Sequence, residues 1–352
     1  MVTDPGAPTD TTAERLLEVL REATGRPDLG YDGPPTPLSG GFFAEMLRFR
    51  LADPPAGLAG DLVARLVPSQ AVGEREATVQ GAVAEQGFPT PAVRMTAPES
   101  SALGRFLIVM DALDGAPPLA GLDPRTVAGQ IPDLVRHLPD QLARIAAHLH
   151  SLDPEPLVAR LESLDGEIPT TTAAFVEQQS TLARSIGRGE LATAGERLLA
   201  DQPRSTAHVI THGDLHPFNL LVTPDGPWLI DWTVSGVGHP GFTIAFTQLT
   251  LAHPPIPLPR VGRVVLDALG RRMARRFLDT YRGLTAGTPA EVDEAQLAWH
   301  RGVHALRILV ELAVWDHAGI RPSAGHPWFL LEPVARRELG LPAARRGSVQ
   351  PS

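Results

Sequence analysis

Between residues 211 and 232 the chain reads THGDLHPFNLLVTPDGPWLIDW. The stretch sets His212, Asp214, His216, Asn219 and Asp231 around two short apolar runs, a concentration of groups that could do chemistry. Three readings compete: a metal-hydrolase centre, a phosphoryl-transfer site and an ordinary polar turn. His212, Asp214 and His216 alternate, so on a regular strand they would share a face and could hold a cation. Gly213 and Pro217 argue against a regular strand there, and the distant histidines stand at no matching spacing. Phosphoryl transfer needs a carboxylate facing an alcohol, oxygen ligands for Mg2+, a glycine turn over the phosphates and a cation beside them. Asp214 and Asn219 are five positions apart, the interval between base and metal-holding asparagine in catalytic loops of that chemistry. Asp231 follows a strand and a tight turn, where a second metal-binding carboxylate belongs. A glycine turn at Ser39, Gly40 and Gly41, a strand arginine, Arg65, and a helix glutamate, Glu76, lie upstream in the required order.

Positioning such a site falls to the elements around it. Thr11 and Glu14 have the spacing of a capping box and predict a helix to about residue 21. In GPPTPLSGGFFAEMLRFRLAD, Leu47, Phe49 and Leu51 alternate with Met46, Arg48 and Arg50, which predicts two strands around the glycine turn. GDLVARLVP reads as a further strand, and residues 73–86 as a helix closed by Gly87. GRFLIVMDAL reads as a long apolar strand leading into the breaker-rich DGAPP. After that joint the period turns helical, with Leu134, Leu138, Leu142, Ile145, Leu149 and Leu152 recurring at threes and fours. Helices are predicted over 170–186 and 190–201. AHVITHGD, NLLVT and GPWLIDW read as strands, with a turn at Pro224-Asp225-Gly226, and the chain is helical again from Pro240. The expected organisation is a strand-rich first lobe over 1–112 and a helix-rich second lobe over 113–340. Disordered ends are expected over the first ~10 residues and over 341–352.

Composition narrows the field. With 43% hydrophobic and 20% charged residues over 352 positions, the chain reads as a soluble globular protein of one large domain or two lobes. A formal charge of −9 and the lack of any basic run argue against a nucleic-acid partner. Zero cysteines exclude disulfides and thiolate metal sites, so any metal must sit on oxygen or imidazole. MVTDPGAPTDTT has neither the basic nor the apolar region of a signal peptide, and no apolar run reaches the roughly 18 residues of a membrane span. A cytoplasmic protein without a membrane partner is the expectation. The sequence also contains no lysine, so all 31 basic residues are arginine.

HGDLHPFNLLV followed by LIDW resembles the aminoglycoside phosphotransferase and choline kinase superfamily, small-molecule relatives of the protein kinases. The resemblance covers most of the chain. LSGGFFAEMLRFRL is similar to the family's nucleotide loop, EREATVQGAVAEQGFPTPAV to its first helix and following strand, FLIVMDALDGAPP to its hinge, and LARIAAHLHSLDP to the helix before its insertion. It implies an α+β, bilobal protein-kinase-like fold, with a small antiparallel-sheet N-lobe carrying one main helix and a larger, mostly helical C-lobe. It also implies ATP or GTP with Mg2+, and transfer of the γ-phosphoryl group to a hydroxyl of a small molecule such as an antibiotic, an amino alcohol or a sugar-like compound. By the resemblance, Asp214 is the base that orients the acceptor hydroxyl, Asn219 and Asp231 are the Mg2+ ligands, and His212 supports the catalytic loop. His216 and Pro217 shape that loop. Ser39, Gly40 and Gly41 bring backbone amides to the β-phosphate, and Met110, Asp111 and Leu113 belong to the hinge that meets adenine. Arg65 is the only basic residue on its strand and stands where the family sets its phosphate-binding lysine, with Glu76 as the expected partner.

Two positions depart from the family pattern. After its magnesium aspartate the family usually has Gly-Asp-Pro and, three residues on, a second aspartate that braces the catalytic loop. Here Gly238-His239-Pro240-Gly241-Phe242-Thr243 replaces both acids, with His239 and Thr243. The alternative is therefore a nucleotide-binding pseudokinase without transfer activity, with a metal-dependent hydrolase behind it. Acceptor contacts are expected from His216, Glu177, Trp299, His300, Glu311 and Asp316. A polycationic aminoglycoside would want several converging carboxylates, and this segment is as aromatic and aliphatic as it is acidic. The sequence leaves the acceptor, the choice of nucleotide and the oligomeric state open.

Overall fold

The computed structural model describes residues 10–38, 45–118, 124–164, 169, 171–256, 260–322 and 326–343. In chain order the first elements are α1 (Asp10–Thr24), β1 (Gly30–Tyr31), β2 (Thr36–Pro37), β3 (Glu45–Ala52), β4 (Asp61–Val67), α2 (Gln70–Glu85), β5 (Val93–Ala97) and β6 (Phe106–Asp111). Then come α3 (Pro124–Ser151), α4 (Glu155–Glu162), α5 (Thr172–Ser185), α6 (Gly189–Ala200) and β7 (Val209–Thr211). The last third has β8 (Leu220–Thr223), β9 (Gly226–Leu229), β10 (Gly236–Gly238), α7 (Gly241–Ala252), α8 (Arg260–Thr285), α9 (Glu294–His317) and α10 (Pro327–Glu338). The chain is thus α+β, with an antiparallel sheet in its N-terminal region and helices in its C-terminal region. It divides into two compact units, one of residues 1–117, 155–168 and 220–235, the other of 118–154, 169–219 and 236–352.

In the first unit the strands run β1-β3-β4-β6-β5, all antiparallel, with β2 also on β3. A period of two sorts their side chains. Leu47, Phe49 and Leu51 of β3, Leu62, Ala64 and Leu66 of β4, and Leu107 and Val109 of β6 cluster with Leu16, Val19 and Leu20 of α1. Val67, Phe106, Ile108 and Met110 alternate with these and cluster instead with Ala77 of α2. Arg65 lies between Val63 and Val67, so the same alternation turns it to the α2 face. α2 approaches that face closely because Gly73 carries no side chain; a Cβ there would stand 2.2 Å from Phe106 Cδ1. The β8–β9 hairpin pairs Leu220 with Leu229 through to Thr223 with Gly226. It leads to the fully buried Trp232, whose Nε1 donates to Thr90 Oγ1 at 2.9 Å.

In the second unit β7 and β10 form a short antiparallel pair, from Thr211 opposite Gly236 to Val209 opposite Gly238. Its helices pack as α3 on α8, α7 on α8 and α9, α10 on α9, and α5 with α6 against α9. Phe242, Phe246, Val303, Leu306, Leu309, Val310 and Leu331 are part of the core between them. α9 begins with a capping box, Asp293 Oδ1 accepting from Gln296 N at 2.7 Å while Gln296 Oε1 accepts from Asp293 N at 3.1 Å.

Several boundaries differ from expectation. α2 starts three residues before Gly73, because the Ser69 side chain caps it by accepting from the Val72 amide. α1 starts at Asp10, one residue before the expected cap Thr11, and runs on to Thr24, whose hydroxyl donates to the Leu20 carbonyl at 2.7 Å. β10 and the short α4 were not anticipated. The glycine turn at Ser39, Gly40 and Gly41 lies outside the described residues, as do the first nine residues and the tail from 344.

Candidate active site

In the second unit, β7 delivers the chain into His212, Gly213 and Asp214. Gly213 has φ +71°, a left-handed conformation that glycine adopts without steric cost and that turns the chain sharply before Asp214. A single 3-10 turn over Pro217–Asn219 then folds Asn219 back. Its Nδ2 donates to the Asp214 carbonyl at 2.9 Å and to Asp214 Oδ2 at 3.2 Å, and its Oδ1 has no hydrogen-bond partner among the described residues. His216 Nε2 stands 3.5 Å from Asp214 Oδ2. From α9, Arg307 Nη1 reaches Asp214 Oδ1 at 3.1 Å and the Gly213 carbonyl at 3.3 Å. Burial alone would raise the Asp214 carboxyl, but the Arg307 guanidinium and His216 outweigh it and hold the group well below the usual carboxylate range.

α7 braces this loop. Thr243 Oγ1 accepts from the His212 amide at 2.9 Å and from the Gly213 amide at 3.5 Å, and Thr247 Oγ1 donates to the Leu215 carbonyl at 2.8 Å. The bracing position is therefore filled by a neutral hydroxyl, whose hydrogen bonds are worth about 0.5–1.5 kcal/mol each against about 1.5–3 for a charged acceptor. His212 is fully buried, and its Nδ1 accepts from the Asp214 amide at 3.3 Å. His239 Nδ1 accepts from the Gly241 amide at 2.9 Å, and its ring stacks on His300 at 4.9 Å.

In the first unit a second cluster forms around Arg65. Its Nε lies 2.8 Å from Glu76 Oε1, and its Nη2 donates to Asp231 Oδ1 at 3.2 Å and to Thr233 Oγ1 at 3.1 Å. The Thr233 hydroxyl contacts both carboxylates, Asp231 Oδ1 at 2.6 Å and Glu76 Oε2 at 3.3 Å. Burial pushes the Glu76 carboxyl up to about 7 against the pull of Arg65. Asp231 holds φ +67°, a conformation unusual for any residue but glycine and enriched at functional sites. Its Oδ2 has no hydrogen-bond partner among the described residues.

The hinge residues lie at the end of β6 in the same unit. Met110 is buried, with Sδ 3.5 Å from Gln80 Nε2, and the Asp111 carboxylate takes both arms of Arg94 at 2.6 and 2.7 Å. The amides of Asp111 and Ala112 donate to the carbonyls of Ala92 and Asp61, whereas that of Leu113 has no partner among the described residues.

Of the residues expected to meet an acceptor, His216 stands at Asp214 and Glu311 interacts with Arg307, and the others are engaged elsewhere in the second unit. Trp299 is a core side chain whose indole donates to the Leu198 carbonyl at 2.7 Å, and His300 Nδ1 bonds the Gln296 carbonyl at 2.7 Å. Glu177 is exposed on α5, and Asp316 forms an exposed pair with Arg188 at 2.6 Å. Glu311 is half-buried one helical turn from Arg307, and burial raises its carboxyl. Sequence reasoning missed Thr233 and Arg307. The first lies two places after Asp231, one residue past the end of the motif. The second had one signal: His300, His304, Arg307 and Glu311 recur at helical spacing as a polar stripe in an otherwise apolar segment.

Comparison with known proteins adds to this geometry. A family model described as the phosphotransferase enzyme family, APH, matches residues 36–282, more than half of the chain. A solved structure assigned as an aminoglycoside phosphotransferase from Ralstonia eutropha is 19% identical, with a TM-score of 0.60 over 93% of this chain and 97% of its own. The amicoumacin kinase hAmiN, in complex with AMP-PNP, Ca2+ and Ami, is 16% identical, with a TM-score of 0.55 over 92% of each chain. Both likenesses concern the fold. Mouse acyl-CoA dehydrogenase family member 10 is 25% identical over 217 residues, 58% of this chain, and the chain spans only 19% of that relative's length.

Proposed function

The chain belongs to the phosphotransferase enzyme family, and on that premise we propose that it transfers the γ-phosphoryl group of ATP to a hydroxyl of a small molecule. The observation that carries this reading is the state of Asp214, an ionised carboxylate fixed by Asn219, His216 and Arg307 on a loop braced by α7. In the step, a bond forms between the acceptor oxygen and the γ-phosphorus while the bond to the β–γ bridging oxygen breaks, releasing ADP and the hydroxyl proton. A carboxylate held this acidic is a weak proton acceptor, so its main work is to accept a hydrogen bond from the hydroxyl and aim its lone pair. That suits a loose transition state in which positioning and charge stabilisation dominate.

Asn219 Oδ1 and Asp231 Oδ2 are the oxygens we assign to a divalent cation, since the remaining polar atoms of both side chains are engaged elsewhere. Two protein oxygens fit Mg2+, which keeps waters and phosphate oxygens in its shell. Such an ion, when bound, neutralises charge on the phosphates. Arg65, locked by Glu76, is assigned to the phosphates, and the open Leu113 amide to the purine. His212 and His216 both use Nδ1 to accept from backbone amides of their own loop, an arrangement that fits loop support better than metal ligation. A cytoplasmic setting is part of the proposal. Among the described residues no helix is long and apolar enough to cross a membrane.

A second reading, nucleotide binding without transfer, draws on His239 and Thr243 in place of acids. ADP release measured across a panel of hydroxylated compounds, with ATP and with GTP, separates the two. Acceptor-stimulated release supports transfer, whereas Mg2+-dependent nucleotide binding with no stimulated release supports the second reading.

A further inference from the structure

We infer that the acceptor carries an anionic group, a carboxylate or a phosphate monoester, close to the hydroxyl that is phosphorylated, and that Arg307 recognises it. The inference rests on the reading of Asp214 as the residue that orients the acceptor. Arg307 spends a single nitrogen, Nη1, on Asp214 and Gly213. Nε and Nη2 have no hydrogen-bond partner among the described residues, and neither is a fully buried nitrogen. The guanidinium therefore keeps unused donors beside the carboxylate at which the hydroxyl is to be held. Phe246 and Trp328 fix its orientation, each ring centroid 5.5 Å from the guanidinium carbon. A preorganised fork with open N–H groups matches an oxyanion.

Arg307 is the cationic group of the polar stripe on α9. His304, one turn back on α9, is buried and held neutral, with Nε2 on the Phe242 carbonyl at 2.6 Å. Glu311, one turn forward, is the half-buried acidic neighbour, and burial raises its carboxyl against the pull of Arg307. Asp214 is matched by the contact it already makes with Arg307, so a cation brought to the free edge of that guanidinium would meet repulsion. Two hydrogen bonds of about 2.8 Å, one at each residue, separate the hydroxyl and the anion by only a few bonds. A short hydroxy acid or hydroxyalkyl phosphate has that spacing.

The test measures binding without nucleotide, by calorimetry on the full chain, using glycerate, glycerol phosphate, neutral glycerol and cationic choline. Glycerate or glycerol phosphate is expected to bind at least about tenfold more tightly than glycerol or choline, and the better of the two anions identifies the group. Arg307→Gln should remove that preference, so that neither anion binds more tightly than glycerol, while Arg307→Lys, which keeps the charge and guards against a folding defect, should retain part of it. Equal binding of all four probes, or an equal loss of all of them in Arg307→Gln, would overturn the assignment. Selective anion binding in a wild type that never turns over ATP would refute the transfer reading and leave Arg307 as an anion site.

Discussion

Arg65 on β4 and Glu76 on α2 meet through a 2.8 Å Nε–Oε1 ion pair in which the side chains are only 10% and 1% exposed. The pair exists because two features coincide: β4 alternation turns Arg65 to the α2 face, and Gly73 lets α2 come close enough for Glu76 to reach it.

Breaking that pair on one side should be costly. Arg65→Ala leaves a buried carboxylate without its counter-charge, which typically destabilises by about 3–5 kcal/mol, whereas replacing both partners by apolar residues is often close to neutral. Urea unfolding should show Arg65→Ala markedly weakened and Arg65→Met with Glu76→Leu largely recovered. Nucleotide affinity should stay down about tenfold or more in both, and Arg65→Lys should recover only part of it. Recovered nucleotide binding in the apolar pair would remove Arg65 from the phosphate site.

Gly73→Ala tests the geometry behind the pair. The new methyl would collide with the Phe106 ring, and overpacking of this kind costs about 1–3 kcal/mol, more than the roughly 1 kcal/mol that alanine gains over glycine in a helix. Melting temperature and nucleotide affinity should fall together. A Gly73→Ala protein as stable as wild type would mean that α2 sits further from β6 than described.

At Asp231 the expected effect is on metal dependence. Asparagine tolerates the left-handed backbone that Asp231 adopts, so Asp231→Asn should keep the fold while losing a carboxylate oxygen. Titration should show ATP affinity in the presence of Mg2+ falling at least about tenfold, with affinity for metal-free ATP changed far less. A wild type that binds ATP equally with and without Mg2+ would contradict the assignment.

Acid should destabilise the helical unit. Burial holds His150, His300 and His304 each down to about 3. A depressed folded value means that their contribution is present above the unfolded value of about 6.5 and is lost as pH falls towards 3. At pH 5 the loss is on the order of 2 kcal/mol for each imidazole that stays neutral in the fold. Glu76 works the other way, since its raised value gives a contribution that is full below about 4.5 and lost as pH rises through about 7. Three imidazoles outweigh one carboxyl, so melting temperature should drop between pH 7 and 5. His304→Gln, whose amide can still donate to the Phe242 carbonyl, should flatten part of that slope. A melting temperature that does not fall between pH 7 and 5 would contradict this account.

What the sequence disclosed followed from local regularity. The faces of β3, β4 and β6 could be read from alternation, and Asp214 and Asn219 from a spacing that the chain closes by itself in one 3-10 turn. The bracing by Thr243 could not be foreseen in its geometry, because it depends on where α7 lies against the loop. β10 is Gly-Val-Gly, which has no strand tendency of its own and is made a strand by pairing with β7. Arg307 is 93 positions from Asp214 and is brought there by helix packing, which no spacing rule encodes. Its trace in the sequence was a charge on an apolar helix, and that was legible as a polar stripe without naming its partner.

The most direct test of the central claim follows labelled γ-phosphate from ATP to an acceptor hydroxyl, in wild type and in Asp214→Asn, at saturating Mg2+ and nucleotide. The wild type should yield labelled acceptor. Turnover should be lower by roughly 10²–10⁴ in the variant, which replaces the charged acceptor of the hydroxyl's hydrogen bond by a neutral amide, with nucleotide affinity nearly intact. A wild type that binds nucleotide but labels no hydroxyl compound would contradict the claim, as would an Asp214→Asn variant that transfers as fast as wild type.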